Sequence, residues 1–340
     1  MASNLRYPHF MNLAALFPNE DYRFAMRFER GRPEDFFAPT ESGPRLFAER
    51  ARWLNEAPAH YVAMLPGGEP LLEETLELLR AWPATRAVAS PGGASVLASL
   101  GTPESSISLE TSEFPPGSLS PSEGERAGVR GRLTIPRAAE VQAGASRSPS
   151  LLGQTPLARC IELGRKLEPD FLLLKPDAAG VFRLLAGCVC FPSSWSLEEK
   201  MGLPLDEIHG VVPGLNTQLA RPISGFLAKM APGISWLRAN WGLSRSAELN
   251  NHPSRKLPRL DASVRADEVW LRVEWQSLVA LPGNAGVLFG IRIEVFSLAQ
   301  VKQDAAAAEG LRRALQTMPG EMAAYKGIAP ARDRIATFLE

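Results

Sequence analysis

Alternating apolar and polar residues in the last third of the chain predict a β-hairpin. Apolar side chains occupy every second position from 269 to 275. The same alternation returns from 287 to 295, after the sequence Pro282-Gly283-Asn284. A period of two is typical of strands, and Pro, Gly and Asn are typical of the turn that joins them. We therefore expect both apolar sets to face a core.

The polar positions of this hairpin carry two arginines and two glutamates. If the turn centres near Gly283, Arg272 lies opposite Glu294. Glu274 then lies opposite Arg292, and the two ion pairs would contribute roughly 0.2–1 kcal/mol each. The alternative is that this polar face borders a cofactor, where Glu274 could hold a cationic amine or move a proton. A shift of one residue in the register would break both pairs.

Other segments predict a second hairpin and several helices. The apolar run 171–174, the turn residues 176–180 and the segment 181–191 indicate the hairpin. Thr155 and Pro156 are typical of the first positions of a helix, which we expect to continue through Lys166. Ser196 and Glu199 have the spacing of a capping box for a short helix that Gly202 ends. Further helices are predicted from Arg45 onward and at 69–79, 305–315 and 321–339.

Hairpins combined with flanking helices indicate an α+β fold with an antiparallel sheet rather than a series of βαβ units. We divide the chain into an N-terminal helical region (1–88) packed on the core, a loop or insert rich in Ser, Gly and Pro (89–154), and a core with C-terminal helices (155–340). These parts are expected to form one integrated domain.

Composition narrows the function class. Lys and Arg total 37, as do Asp and Glu, so the formal net charge is zero and gives no reason to expect a nucleic-acid partner. No apolar run approaches the roughly 20 residues of a membrane span, and the N-terminus lacks the pattern of a signal peptide. Three cysteines do not form a secreted disulfide framework. We expect a cytoplasmic protein with reduced thiols; homo-oligomerisation stays open.

His209 is the strongest candidate for a metal ligand among the four histidines. Ile208, Val211 and Val212 make its surroundings apolar, and Pro213-Gly214 stiffens the chain after it. An imidazole presented from an apolar wall is what haem iron requires of an axial ligand. The alternative is a solvated or structurally hydrogen-bonded histidine. Phosphate-loop, dinucleotide-binding, HExxH and GxSxG motifs are absent from the sequence.

Arginine and asparagine lie between two tryptophans in the sequence Trp236-Leu237-Arg238-Ala239-Asn240-Trp241. One interpretation is a partly exposed aromatic strand. The other is an apolar wall for a flat macrocycle, in which Trp241 contributes to the wall and Arg238 pairs with a propionate. Lys200 is a weaker candidate for the same role, because a lysine is usually solvated.

Taken in order, these segments resemble the haem-dependent oxidative N-demethylase alpha-subunit family. The resemblance is carried by several motifs between about 155 and the C-terminus: Phe191-Pro192-Ser193 with Trp195, Glu199-Lys200 to Pro204, Ile208-His209 with Val212-Pro213-Gly214, Arg238-Ala239-Asn240-Trp241, Leu271-Arg272-Val273-Glu274, Leu281-Pro282, Val287-Leu288-Phe289 with Ile291-Arg292, Met318-Pro319 and Tyr325-Lys326-Gly327. Arg52-Trp53-Leu54-Asn55-Glu56 and His60-Tyr61 are similar to the family's N-terminal region.

The resemblance implies a PAS-like fold holding haem b, with His209 as the axial metal ligand. It also implies a monooxygenase that demethylates a small amine such as dimethylamine with O2 and releases formaldehyde. Electrons would come from NADPH through separate FMN and iron–sulfur partners. On this hypothesis Arg238, Lys200, Trp241 and Arg272 border the cofactor, and Glu274 contacts the amine.

Two other functions remain open on the sequence. A PAS-like fold would also suit a haem-based sensor or gas-binding protein without turnover, because a fold does not fix a function. The other possibility is a haem-free structural module in which His209 only packs against its neighbours.

Overall fold

The computed structural model describes residues 12–23, 27–82, 107–108, 155–283 and 286–340. Most of the predicted insert 89–154 therefore lies outside the described residues. No helix in the described ranges is long and apolar enough to cross a bilayer.

The described chain combines helices of 4 to 14 residues with strands of 2 to 11 residues. The strands are β1 (Arg27–Gly31), β2 (Val62–Met64), β3 (Ile107–Ser108), β4 (Asp170–Pro176), β5 (Phe182–Cys188), β6 (Ser235–Ser244), β7 (Trp270–Ala280) and β8 (Val287–Ser297). The helices are α1 (Leu13–Leu16), α2 (Pro33–Phe37), α3 (Gly43–Glu56), α4 (Pro58–Tyr61), α5 (Glu69–Ala81), α6 (Pro156–Lys166), α7 (Leu205–His209), α8 (Leu215–Leu227), α9 (Leu298–Val301), α10 (Ala305–Thr317), α11 (Gly320–Tyr325) and α12 (Arg332–Phe338). Two 3₁₀ turns cover Pro253–Arg255 and Ala266–Glu268.

The strands form one sheet in the order β2-β5-β4-β8-β7-β6-β1-β3. Every pairing between these strands is antiparallel, which confirms the α+β prediction. The two predicted hairpins are β4–β5 and β7–β8. Helix α6 begins as expected, because Thr155 Oγ1 accepts a hydrogen bond from Ala158 N at 3.2 Å.

The predicted register of the β7–β8 hairpin is wrong by one residue. Arg272 lies opposite Val295, and Glu274 lies opposite Ile293. Because the side-chain period is two, this shift puts Arg272 and Glu274 on one face of the sheet and Arg292 and Glu294 on the other. The cross-strand ion pairs therefore do not form. The two apolar sets of the hairpin also lie on opposite faces rather than on one.

The predicted capping-box helix after Ser196 is also wrong. Residues 197–202 form turns, and the buried Ser196 Oγ has no hydrogen-bond partner among the residues that the structure describes. The backbone N–H and C=O of Gly202 are bonded to residues of β5 instead. Gly202 N donates to Leu184 O at 2.8 Å, and Arg183 Nη1 donates to Gly202 O at 3.2 Å. Gly202 has a φ of 77°, which only glycine adopts without strain.

One face of the sheet is covered by helices from the N-terminal and C-terminal parts of the chain. Its core includes Phe37, Leu71, Phe171, Val273 and Trp275, all of which are buried. The buried charges on this side have counter-charges. Arg50 and Asp170 form a fully buried ion pair at 2.9 Å. Arg292 pairs with Glu168, and its Nε donates to the carbonyl oxygen of Phe36.

Candidate functional site

The opposite face of the sheet carries an unusual set of polar residues at its centre. We call this surface the site face. It is made by three cross-strand rows, each with one residue from β6, β7 and β8: Trp236, Leu278 and Phe289; Arg238, Gln276 and Ile291; Asn240, Glu274 and Ile293.

Helices α7 and α8 lie over the apolar part of the site face. Leu219 and Ile223 of α8 pack in a cluster with Trp236, and Leu278 borders the same cluster. Ile208 of α7 packs in a second cluster that includes Ile291. These contacts fix the segment that carries His209 against the sheet.

His209 is the last residue of α7, and it is half-buried. The pKa of its imidazole is lowered to about 4, chiefly by burial and also by the nearby Arg238 and Lys200, while Asp206 acts in the opposite direction. The imidazole is therefore neutral at physiological pH, as a metal ligand must be. Gly214, with a φ of 71°, turns the chain from this segment into α8.

Arg238 is the polar residue on the site face that lacks a counter-charge. Its guanidinium makes no hydrogen bond or ion pair with any of the described residues. Burial lowers the pKa of Arg238, and Glu274 opposes that effect. The five N–H donors of its planar guanidinium are therefore available for a carboxylate.

Glu274 lies one row from Arg238 and is also buried. Its Oε2 accepts hydrogen bonds from Gln276 Nε2 at 2.9 Å and from Asn240 Nδ2 at 3.3 Å. No donor in the described part of the chain reaches Oε1. The two amides hold the carboxylate in one orientation and leave one oxygen to accept a hydrogen bond from a ligand.

Lys326 and Tyr325, at the end of α11, add a second wall beside Glu274. Lys326 Nζ donates to Trp241 O at 2.6 Å and contacts Asn240 Oδ1 at 3.5 Å. Burial lowers the pKa of Lys326 to about 8, with Glu274 raising it and Arg238 lowering it. The pKa of Tyr325 is raised by burial and by Glu274. The sequence interpretation gave no role to Lys326 or Gln276, because their proximity to Glu274 depends on the sheet register and on the position of α11.

Arg272 does not fit the predicted role of a cofactor contact. Its Nε donates to Ser193 Oγ at 2.7 Å, and its Nη1 donates to Glu248 O at 3.1 Å. Nη2 donates to the carbonyl oxygens of Phe191, Pro192 and Leu249. All three nitrogens are thus used within the protein. Burial lowers the pKa of Arg272 to about 10, and the side chain ties two loops to β7.

Trp241 does not fit its predicted role as a wall either. It lies opposite Val273, so its side chain points away from the site face. Its ring packs edge-on against Phe17 at 5.2 Å between centroids, and Lys326 Nζ lies 5.1 Å from the ring. Trp241 therefore supports Lys326 rather than lining the same surface as Arg238. The separate prediction for Lys200 fits better, since this half-buried cation acts on His209.

The structure also brings together two histidines that the sequence interpretation ranked below His209. His60 and His252 both contact Glu198, although 138 and 54 residues separate the partners along the chain. No local spacing could have indicated this cluster.

A comparison with protein families identifies the family of the chain. The model of the family described as "haem-dependent oxidative N-demethylase, alpha subunit-like" matches residues 146–336. The match covers His209 and the whole site face, as well as Lys326. The chain belongs to the haem-dependent oxidative N-demethylase alpha subunit-like family.

Proposed function

We propose that the protein is the haem-binding subunit of an oxidative N-demethylase that acts on a small secondary amine such as dimethylamine. The observation that carries this proposal is the meeting of a neutral imidazole, an unpaired guanidinium and a buried carboxylate. His209, Arg238 and Glu274 come from three elements and meet over one face of the sheet.

These residues fit a haem. His209 offers a neutral ring nitrogen to the iron, and no hydrogen bond with the described residues competes for it. Arg238 can bind a propionate through two parallel N–H donors, and Lys200 offers a second cation near His209. The apolar row of Trp236, Leu278 and Phe289 next to Arg238 and the side chains of α8 suit the flat porphyrin ring. A PAS-like arrangement of the sheet is part of this proposal.

Glu274 fits the amine. A secondary alkylamine is protonated near neutral pH, and the Oε1 of Glu274 can accept one of its N–H groups. Asn240 and Gln276 hold the carboxylate, so its orientation is set before the amine binds. Glu274 thus orients the amine and keeps its N-methyl group at a fixed position.

The haem, when bound, supplies the oxidative chemistry. The balanced reaction is (CH3)2NH + O2 + 2e⁻ + 2H⁺ → CH3NH2 + CH2O + H2O, in which one C–N bond breaks. The two electrons require an external donor. We assign this role to NADPH acting through separate FMN and iron–sulfur partners, in keeping with the alpha-subunit description of the family.

The first test is an absorption spectrum of His209→Ala after haem reconstitution, compared with the wild type and with His60→Ala. We expect wild type and His60→Ala to bind one haem with a sharp Soret band. His209→Ala should lose that band or show a shifted one that exogenous imidazole restores. Identical haem content and spectra in all three proteins would remove His209 from the proposal.

A second test separates turnover from binding. Glu274→Gln should retain haem, while formaldehyde release from dimethylamine falls by about 100-fold or more, as expected when a charged partner is lost. Normal turnover in Glu274→Gln would contradict the role of Glu274. A haem-loaded wild type that releases no formaldehyde from any methylated amine with a chemical or enzymatic reductant would favour the sensor alternative.

A further inference from the structure

Three potential metal ligands from three separate segments meet away from the site face. His60 lies in α4, Glu198 lies in the turns after β5, and His252 lies just before the 3₁₀ turn Pro253–Arg255. One ligand atom of each residue lies within 4.8 Å of the others. Two imidazoles and one carboxylate form a ligand set typical of zinc sites and of non-haem iron sites.

The spacing between these atoms fits a metal ion. His60 Nδ1 lies 3.0 Å from Glu198 Oε1, and His252 Nε2 lies 3.3 Å from the same oxygen. With metal–ligand bonds of about 2.0–2.2 Å, the ligand atoms of a tetrahedral site are about 3.4 Å apart. A small movement of the Glu198 side chain would place all three atoms around one ion.

The surroundings orient the innermost ligand and leave access to the outer ones. His252 is 4% exposed, and its Nδ1 contacts Ser254 Oγ at 2.7 Å. Nδ1 also accepts a hydrogen bond from Ser254 N at 3.2 Å, so in the metal-free protein Nε2 carries the proton and faces Glu198. Metal binding would move this proton to Nδ1, which would then donate to Ser254 Oγ, as is usual for a ligating histidine. The side chains of His60 and Glu198 are 44% and 31% exposed, so an ion and a water ligand can enter from solvent.

We propose that His60, Glu198 and His252 bind one divalent transition-metal ion, most simply Zn²⁺, with a water in the fourth position. Two nitrogen ligands make Ca²⁺ and Mg²⁺ poor occupants, because those ions require oxygen ligands. The bound ion would crosslink α4, the segment before α7 and the loop 250–255. This site is separate from His209, so it stands or falls independently of the proposed function.

The test is a zinc titration of the full-length, haem-loaded protein after treatment with a chelator, followed by competition with a chromophoric chelator. We expect one tightly bound zinc per chain and a thermal midpoint that rises with zinc concentration. Loss of a residue that only hydrogen-bonds a metal ligand lowers metal affinity by about 10–100-fold. Glu198→Gln and His60→Ala each remove or weaken a direct ligand, so each should lower the zinc affinity by more than that. Parallel anaerobic titrations with Fe²⁺ will show which ion the site prefers.

Glu248→Gln is the matched control, because Glu248 is a carboxylate near His252 that pairs with Arg255 instead. It should bind zinc like the wild type, and every variant should keep the wild-type Soret band. Absence of a one-to-one zinc complex, or equal affinity in Glu198→Gln, His60→Ala and wild type, would overturn the proposal. The cluster would then be a pair of histidines that share one carboxylate through hydrogen bonds.

Discussion

The buried charges around the sheet form two groups, which differ in whether their partners are complete. On the helix-covered face, Arg50 has Asp170 and Arg292 has Glu168, and each pair is completed by further hydrogen bonds. On the site face, Arg238 has no partner among the described residues, and Glu274 has only amide donors.

On the proposed function, this difference separates charges that maintain the fold from charges that would bind a ligand. Removing one partner of a fully paired buried charge lowers the stability of the fold. Such a charge has no free hydrogen-bonding group for a ligand. A half-buried charge without a partner lowers the stability of the folded protein, unless another molecule binds and supplies the partner. The comparison therefore predicts stability defects where a buried charge has all its partners, as Arg50 and Arg272 do, and binding defects where it has none, as at Arg238.

The largest loss of stability is expected for Arg50→Met. The substitution leaves the Asp170 carboxylate fully buried without its cation, which should lower the free energy of unfolding by about 3–5 kcal/mol. Urea denaturation of the haem-free protein measures this value. The double variant Arg50→Met with Asp170→Leu should recover part of the loss. If the free energy of unfolding of Arg50→Met lies within about 1 kcal/mol of the wild-type value, the comparison is wrong.

Arg272→Lys tests the assignment of Arg272 to the fold rather than to the cofactor. A lysine cannot reach the acceptors that the guanidinium holds on two loops, so we expect a loss of about 2–3 kcal/mol in unfolding free energy. The haem affinity of the folded fraction should stay at the wild-type value. A selective loss of haem with normal stability would return Arg272 to the cofactor site.

Arg238→Met should give the reverse pattern. Removing an unpaired cation should leave the stability of the haem-free protein unchanged or raised. Loss of a charge-assisted contact of about 1.5–3 kcal/mol should weaken haem binding by about 10–100-fold, measured by transfer of haem to an apo-globin acceptor. Arg313→Met is the control, because Arg313 pairs with Asp21 at the surface. Equal haem affinities in both variants would exclude Arg238 as a propionate partner.

The smallest effect concerns the pH dependence of stability. The pKa of Lys326 falls from 10.5 to about 8 on folding, so between these values the unfolded chain holds a proton that the folded protein has released. The free energy of unfolding should therefore rise with pH, by about 1–2 kcal/mol between pH 8 and pH 9.5. Lys326→Met should lack this rise. Parallel pH profiles of the two proteins would mean that Lys326 is solvated.

The sequence was sufficient for the hairpins β4–β5 and β7–β8 and for helices α3, α5, α6 and α10, because periodicity and caps are local signals. It gave no indication of β1, β2, β3 or α8. It was not sufficient for the register of β7 and β8. Both faces of this hairpin are buried, so the alternation of apolar residues favours no single register, and one residue decides where Arg272 and Glu274 point. Ser196 and Glu199 matched a capping box, but contacts between Gly202 and β5 determined the local structure instead.

The candidate site was predictable only in part, for the same reason. His209, Arg238 and Glu274 could be selected because their neighbours in sequence are informative. Lys326, Gln276 and the cluster of His60 with His252 depend on contacts between distant segments, which a single sequence does not show.

The loop clamp made by Arg272 also has a consequence for the order of folding. Its acceptors lie 79–81 residues away at 191–193 and 23–24 residues away at 248–249. Closing the longer of these two connections costs chain entropy that one side chain cannot offset before β7 has joined the sheet. The clamp should therefore form after the folding transition state, and its loss should accelerate unfolding while the folding rate stays nearly constant. Arg272 would then mainly lower the rate of unfolding and so extend the lifetime of the native protein.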